Sequence, residues 1–391
     1  MKGKNQRDLK EENTSTVLKL VKDNPNISRI SVVRRTDLTP PTVSRIISFL
    51  LESGVVLESP GESTHVGRKP FHLKFNGKNF LVLAVEMSYT YVRFAIVDLD
   101  GNIKEVQTVE TTTDIPNNKL FELISENYSY FQKRFDNIFA IGISSPGRVN
   151  PKEGVIISIP NLRNLSNFRV KELEKELKKP VFILNDANAE ALAEMFFGYG
   201  RDVNDFLLVH IGFGIGGGIV LNRKLYNGNF GVSGEIGHIS VDMEYGLECD
   251  CGNKGCIELY ASVNSIIKEV QRQKKSINLT MNSLYEFLKE GDPVTISVVN
   301  ERSRMIGNML VTVSNILAPQ KIIIAGPVVK IAEFIIPTIK QTLSKHSFYG
   351  FGKEIDVVSS ALKENSGLIG AMSIVLNEFL EHPYEFITNR K

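Results

Sequence analysis

The chain has 391 residues, 42% of them hydrophobic and 23% charged, with a formal net charge of +2. That apolar content suffices for sizeable cores in two or three domains, and no apolar run of about 18 residues is present to cross a bilayer. Three cysteines cannot form a disulfide framework and no secretory leader is apparent, so a chain of the reducing cytoplasm with no membrane partner is expected.

Charge is unevenly shared. Residues 1–80 carry 14 Lys and Arg against 8 Asp and Glu, net +6, and the remainder is net −4. A basic head on a mildly acidic body points to nucleic acid as the head's partner.

In residues 13–22, Val17, Leu18 and Val21 recur at helical spacing and Pro25 closes the segment, which predicts a first helix ending near Asp23. Ser28 is a natural N-cap for a second, short helix that runs through Ile30, Val33 and Arg34 to Thr36. After a turn at Asp37-Leu38, Thr39-Pro40-Pro41 restarts a third helix that reaches Gly54, with proline placed where its missing N–H costs nothing. Val43, Ile46, Ile47, Leu50 and Leu51 form its buried stripe, leaving Thr42, Ser44, Arg45 and Ser48 outside or at its margin.

Two short helices at a tight turn, with small polar residues and an arginine early in the second, suit the reading of base edges in a major groove. A plain three-helix bundle would show similar stripes. The following residues favour the first alternative. Val55-Val56-Leu57 reads as a strand, 60–67 as a loop and 68–73 as a returning strand, giving a winged helix-turn-helix with Arg68 and Lys69 near the wing tip. The candidate contacts to an operator duplex are Thr39, Pro41, Thr42, Ser44 and Arg45 on the third helix, with Arg68 and Lys69 reaching phosphates or a narrow minor groove.

From Leu81 strands and helices alternate. Residues 81–101 predict two strands with a turn between them, and further strands are expected at 139–147, 181–186, 206–214 and 322–326. Helices at Val170 to Leu177, Glu190 to Phe197, Asn300 to Leu317 and Ser366 to Leu380 complete an α/β body of two lobes with a cleft. Ligands in such folds lie beyond the carboxyl ends of strands, where Pro146-Gly147, Asn185-Asp186 and the glycine-rich turn Gly212 to Gly218 fall. Asn185 and Asp186 could equally do no more than cap the helix that follows. No internal repeat or low-complexity segment is visible.

His238, Cys249, Cys251 and Cys256 read H-x10-C-x-C-x4-C and include every cysteine of the chain. Three thiolates and one imidazole are the ligand count and softness of a closed tetrahedral zinc site, structural because no position is left for water. The alternative is a set of structural thiols without a metal.

The body resembles the ROK family of repressors, open reading frames and sugar kinases, and the whole chain is similar to its branch of xylose and N-acetylglucosamine repressors. The resemblance rests on ISSPGRVNPKEGVI, PNL at Pro160 to Leu162, NDANAEALAE, GFGIGGGIVLNRKLYNGNFGVSGEIGH and the cysteine cluster ending in Glu258. In the head it rests on NQRDLKEEN, LTPPTVSR and GRKP. It implies a winged helix-turn-helix over 1–78 followed by an actin-like, ribonuclease H-like sugar-kinase fold. The first lobe would comprise 79–184 and 364–391, and the second 185–363 with the zinc site.

The resemblance further implies a sugar pocket of Gly147, Arg148, Asn161, Asn185, Asp186, Glu235, His238 and Glu258, with a monosaccharide or short oligosaccharide as effector. In the family's kinases Asp186 would be the general base. Their first phosphate loop reads D-x-G-G-T, however, where this chain has Glu86-Met87-Ser88-Tyr89-Thr90, and Pro327 follows Gly326 where they carry a glycine run. The expectation is therefore a sugar-responsive repressor that acts as a homodimer or higher homo-oligomer and is not an enzyme. A sugar kinase with an attached head, or a repressor governed by a protein partner, are the alternatives.

Overall fold

Asn5 starts the first helix: its side chain accepts from the N–H groups of Arg7 and Asp8, and the Asp8 carboxylate accepts from the N–H of Asn5. This capping box carries α1 (Gln6–Asp23) a full two turns upstream of the expected apolar stripe. In this computed structural model the described residues are 5–60, 71–112, 115–160, 162, 164–229, 231–275 and 278–389.

The head continues with β1 (Ile27–Ser28), α2 (Arg29–Arg35), α3 (Pro40–Glu52), β2 (Val56–Pro60) and β3 (Phe71–Phe75), the strands forming one sheet in the order β1-β3-β2. Ser28 caps α2 by accepting from the N–H of Ser31. Thr39 precedes α3 but its side chain caps nothing; its hydroxyl lies 3.0 Å from that of Thr42. Strand β2 continues to Pro60, past the expected end at Leu57, and Arg68 and Lys69 lie outside the described residues.

Two five-stranded sheets of identical layout make up the body. In the first, β4 (Leu81–Met87), β5 (Tyr91–Asp98) and β6 (Ile103–Glu110) form an antiparallel meander. Helix α4 (Asn117–Gln132) leads to β7 (Ile138–Ser145), parallel to β4. A small sheet of β8 (Arg148–Asn150), β9 (Val155–Ser158) and β10 (Ser166–Arg169) follows, then α5 (Val170–Leu177) and β11 (Val181–Asn185), parallel to β7. Helix α6 (Asp186–Phe197) crosses to the second sheet.

That sheet repeats the plan with β12 (Phe206–Ile211), β13 (Ile215–Leu221) and β14 (Lys224–Leu225) as the meander. After α7 (Glu258–Ala261), α8 (Val263–Lys274), α9 (Met281–Lys289) and α10 (Pro293–Leu317), β15 (Lys321–Ala325) lies parallel to β12. Helix α11 (Ala332–His346) and β16 (Asp356–Ser359) complete it, and α12 (Ser366–Glu381) and α13 (Pro383–Asn389) return to the first sheet. The orders are β11-β7-β4-β5-β6 and β14-β13-β12-β15-β16. The repeat is one of topology, which needs only apolar strands in the same succession and leaves no repeated sequence.

The glycine run is not a turn throughout, as its composition predicts. Only 212–214 turns; Gly216, Gly217 and Gly218 lie in β13, paired with His210, Val209 and Leu208. A side chain on Gly218 would sit 2.5 Å from the Ala187 carbonyl oxygen and from the Ala191 methyl, so the glycine lets α6 lie directly on the strand.

One hydrophobic cluster joins Val17, Leu18, Val32, Ile47 and Leu50 of the head to Val82 and Ala84 of the first sheet and to Leu376 and Phe379 of α12. Among the described residues no helix is long and apolar enough to cross a membrane.

Candidate ligand cleft and metal centre

The carboxyl ends of β4, β7, β11, β12, β15 and β16 face one cleft of 1210 Å³ between the two sheets. In such folds that is where ligands bind, because the turns leaving the strand ends present side chains and backbone groups to a common space. Of the sequence-derived candidates, Gly147, Arg148, Asn185, Asp186, Glu235, His238 and Glu258 all line it, and Asn161 lies outside the described residues.

Asn185 serves the structure directly: its Oδ1 accepts from the N–H of Ala187 at 3.1 Å, capping α6, and its Nδ2 donates to the Gly147 carbonyl at 3.0 Å. The capping role weighed against it in the sequence is thus present, and it also ties the β7 and β11 turns together. Asp186 opens α6, with Oδ1 accepting from Ala187 at 2.8 Å, and burial pushes its carboxyl above the ordinary range. Glu235 is raised by burial too, against the pull of His238.

His238, Cys249, Cys251 and Cys256 converge so that one donor atom from each lies within 4.8 Å of the others. Cys251 and Cys256 stand 3.6 Å apart at sulfur, and Cys249 Sγ is 3.6 Å from His238 Nδ1. Ligands about 2.3 Å from a tetrahedral ion would be about 3.8 Å apart, so the cluster fits a cation of zinc's size. Burial and the neighbouring thiols push Cys256 up to about 12, a cost that a bound dication reverses by stabilising the thiolate. His238 Nδ1 faces Cys249 and Glu258 Oε1 at 3.4 Å, while Nε2 points toward Glu235 Oε2 at 3.8 Å. One imidazole therefore spans the metal cluster and the cleft.

Glu190 and His210 escaped the sequence reading, as did the partners of Glu86 and Tyr89, two residues it noted only as departures from a phosphate loop. Glu190 on α6 holds His210 of β12 through Oε2 and Nδ1 at 2.8 Å, and its Oε1 accepts from the Ser366 hydroxyl at 2.7 Å. Burial alone would push His210 down, but Glu190, Asp186 and Glu86 outweigh it and raise it to about 9. Glu86, raised to about 7 chiefly by burial, pairs with Arg93 at 3.2 Å. Tyr89, from the β4–β5 turn, stacks on Phe213, from the β12–β13 turn, at 4.1 Å and 23°. The available signals were polar residues interrupting apolar runs: His210 in FLLVHI, and Glu190 and Glu194 in an alanine-rich helix four residues apart.

On the head, Thr39, Pro41, Ser44 and Arg45 are exposed and Thr42 is half-buried, along one side of α3 opposite Val43, Ile47 and Leu50. Among the described residues the Arg45 guanidinium makes a single long hydrogen bond, 3.5 Å to the Pro41 carbonyl.

The family profile described as ROK family matches residues 82–378, and one described as winged helix-turn-helix DNA-binding matches 11–56. The chain is 29% identical to a xylose repressor of Bacillus subtilis, over 95% of this chain and 97% of that protein. It is 27% identical to the DNA-binding transcriptional dual regulator NagC of Escherichia coli, over 95% and 94%. A crystal structure of a ROK family transcriptional regulator, a homologue of the E. coli MLC protein, superposes with a TM-score of 0.86 at 26% identity, covering 97% of this chain and 99% of that one. A ROK family glucokinase from Streptomyces griseus, solved with glucose and AMPPNP, gives a TM-score of 0.68 at 27% identity over 74% and 97%.

Proposed function

The chain belongs to the ROK family, and from that premise we propose that it is a sugar-responsive transcriptional repressor of carbohydrate-utilisation genes, whose operator affinity changes when a sugar occupies the cleft. The observation that carries this is the union, in one hydrophobic cluster, of a winged helix-turn-helix head with a body whose polar cleft lies at its strand ends. Relatives similar over 95% of the chain, head included, are named as xylose repressor and N-acetylglucosamine repressor, which makes those two sugars the first candidates.

In this account Gly147, Arg148, Asn161, Asn185, Asp186, Glu235, His238 and Glu258 hold the sugar hydroxyls. Carboxylates and amides around such a ring reject analogues that leave a buried partner unpaired. His238 and the three cysteines bind a structural zinc, which fixes the imidazole that faces the cleft. Thr39, Pro41, Thr42, Ser44 and Arg45 contact the operator, with Arg68 and Lys69 reaching its backbone from the wing. A twofold homodimer supplies two such heads, and the protein acts in the cytoplasm.

The kinase reading has in its favour Asp186 at the start of α6 in the cleft, the retained glycine run from Gly212 to Gly218 and the similarity to a ROK family glucokinase. Against it, the Tyr89 ring stacks on Phe213 beside the turn where a kinase needs bare backbone for phosphate, and Pro327 offers no N–H there. Selection of a duplex from a random pool by the full chain, followed by binding with and without xylose or N-acetylglucosamine, tests the proposal. A selected duplex bound no better than random DNA, or ATP-dependent sugar turnover above about 1 s⁻¹, contradicts it.

A further inference from the structure

Two helices begin in the cleft and end at the DNA-binding head. Helix α6 has Asp186 in the cleft at its start and Phe196 and Phe197 at its far end; α12 has Ser366 and Gly367 in the cleft and Leu380 at its far end. At the cleft they are fastened together, since Glu190 of α6 accepts from the Ser366 hydroxyl while holding His210. At Gly370 they meet backbone to backbone: a side chain there would lie 2.9 Å from the Ala189 carbonyl carbon and 3.1 Å from the Glu190 nitrogen. Fastened at the cleft and in backbone contact at Gly370, with Ile374 of α12 in one hydrophobic cluster with Ala189, Leu192 and Met195 of α6, the two helices form a closely packed pair.

Helix α1 of the head grips the far ends of both. The Lys22 ammonium lies over the rings of Phe196 and Phe197 at 5.0 and 5.2 Å, and over Phe75 of the head at 5.7 Å. Ser15, buried, donates to the Leu380 carbonyl at 2.7 Å, and Lys19 pairs with Glu381 at 2.6 Å. Burial lowers Lys22 to about 8 against the pull of the Asp23 and Asp100 carboxylates, and its ammonium lies among three ring faces. A cation–ring attraction holds only within about 6 Å of the ring centroid, so displacing the rings weakens it.

We propose that α6 and α12 form one rigid pair that carries the occupancy of the cleft to the head, and that Lys22 is the positioning residue by which the head registers on that pair. This rests on the sugar-responsive reading above and supplies its route. A sugar that contacts Asp186 or displaces the Glu190 contacts shifts the start of the pair, and the Phe196 and Phe197 rings move with it under Lys22. The head's orientation then differs between the sugar-bound and sugar-free states, which is the two-state element that coupling requires.

The test uses the full-length chain, a duplex selected by it from a random pool, and xylose or N-acetylglucosamine, whichever raises the melting temperature. Duplex affinity is measured with and without sugar for the unaltered chain, Lys22→Met and Lys22→Arg, with sugar affinity measured separately. The expected coupling factor of the unaltered chain is about 5- to 150-fold. In Lys22→Met it falls toward one while sugar affinity is unchanged, and Lys22→Arg, which keeps a cation over the rings, restores it. Lys22→Met with the full coupling factor overturns the proposal. Should that variant melt too early to assay, Phe197→Leu tests the same contact from the body's side, with the same loss expected. No coupling in the unaltered chain would instead remove the sugar-responsive reading itself.

Discussion

His210 interrupts the apolar run of β12 and sits against Glu190 at 2.8 Å, with Asp186 and Glu86 nearby. Its folded value, about 9, exceeds the ordinary imidazole value of 6.5, so its contribution to stability is complete below about 6.5 and is lost as pH rises through 9. Glu86, raised from 4.5 to about 7, acts in the same direction over the lower range. Lys22, lowered from 10.5 to about 8, has the opposite sign: its contribution is present above 10.5 and is lost as pH falls through 8. Comparing melting temperatures of the unaltered chain and His210→Gln isolates the histidine. The gap between them should narrow between pH 6.5 and 9, and a constant gap across that range would contradict the assignment. The histidine of the metal cluster was legible because clustered cysteines mark a ligand set by residue type, whereas nothing in residue type marks Glu190 and His210 as partners, which meet only once α6 lies on β12.

At the scale of elements, the segment between Glu235 and Glu258 holds one short 3-10 turn (Ile236–His238) and the isolated bridges Ser240 to Cys256 and Glu248 to Lys254, and it exposes Met243 and Tyr245. A loop with so little ladder and so little buried apolar surface needs a staple, which a four-ligand metal supplies. One zinc per chain should therefore copurify, and Cys256→Ser should lower both metal content and melting temperature. A metal-free protein of undiminished stability would show that the thiols suffice. Helices such as α2 and α5 matched expectation because caps and apolar stripes are local signals. The run Gly216 to Gly218 did not, because its strand identity comes from pairing with β12 and from α6 pressing on it. Gly218→Ala should cost about 1–3 kcal/mol by overpacking against Ala187 and Ala191, measurable by denaturant unfolding, and an unchanged midpoint would mean that α6 can retreat.

For the whole molecule, composition and charge separated a basic head from an α/β body, and seven of the eight residues that the family resemblance implied for a pocket line the cleft. The duplicated sheet plan and the shared core of head and body were hidden, since both arise from contacts between distant segments that any apolar residues can make. That shared core, together with the contacts of α1 to α6 and α12, packs the head on the body rather than leaving it a tethered appendage. Sedimentation should give a dimer, because one head reads too few base pairs for a specific operator, and a monomer that bound its operator tightly would contradict this. The most direct test is the closed thermodynamic cycle measured by calorimetry: duplex affinity with and without sugar, and sugar affinity with and without duplex. The account predicts the same factor on both sides of the cycle, about 5- to 150-fold, and sugar affinities identical with and without the selected duplex would contradict it.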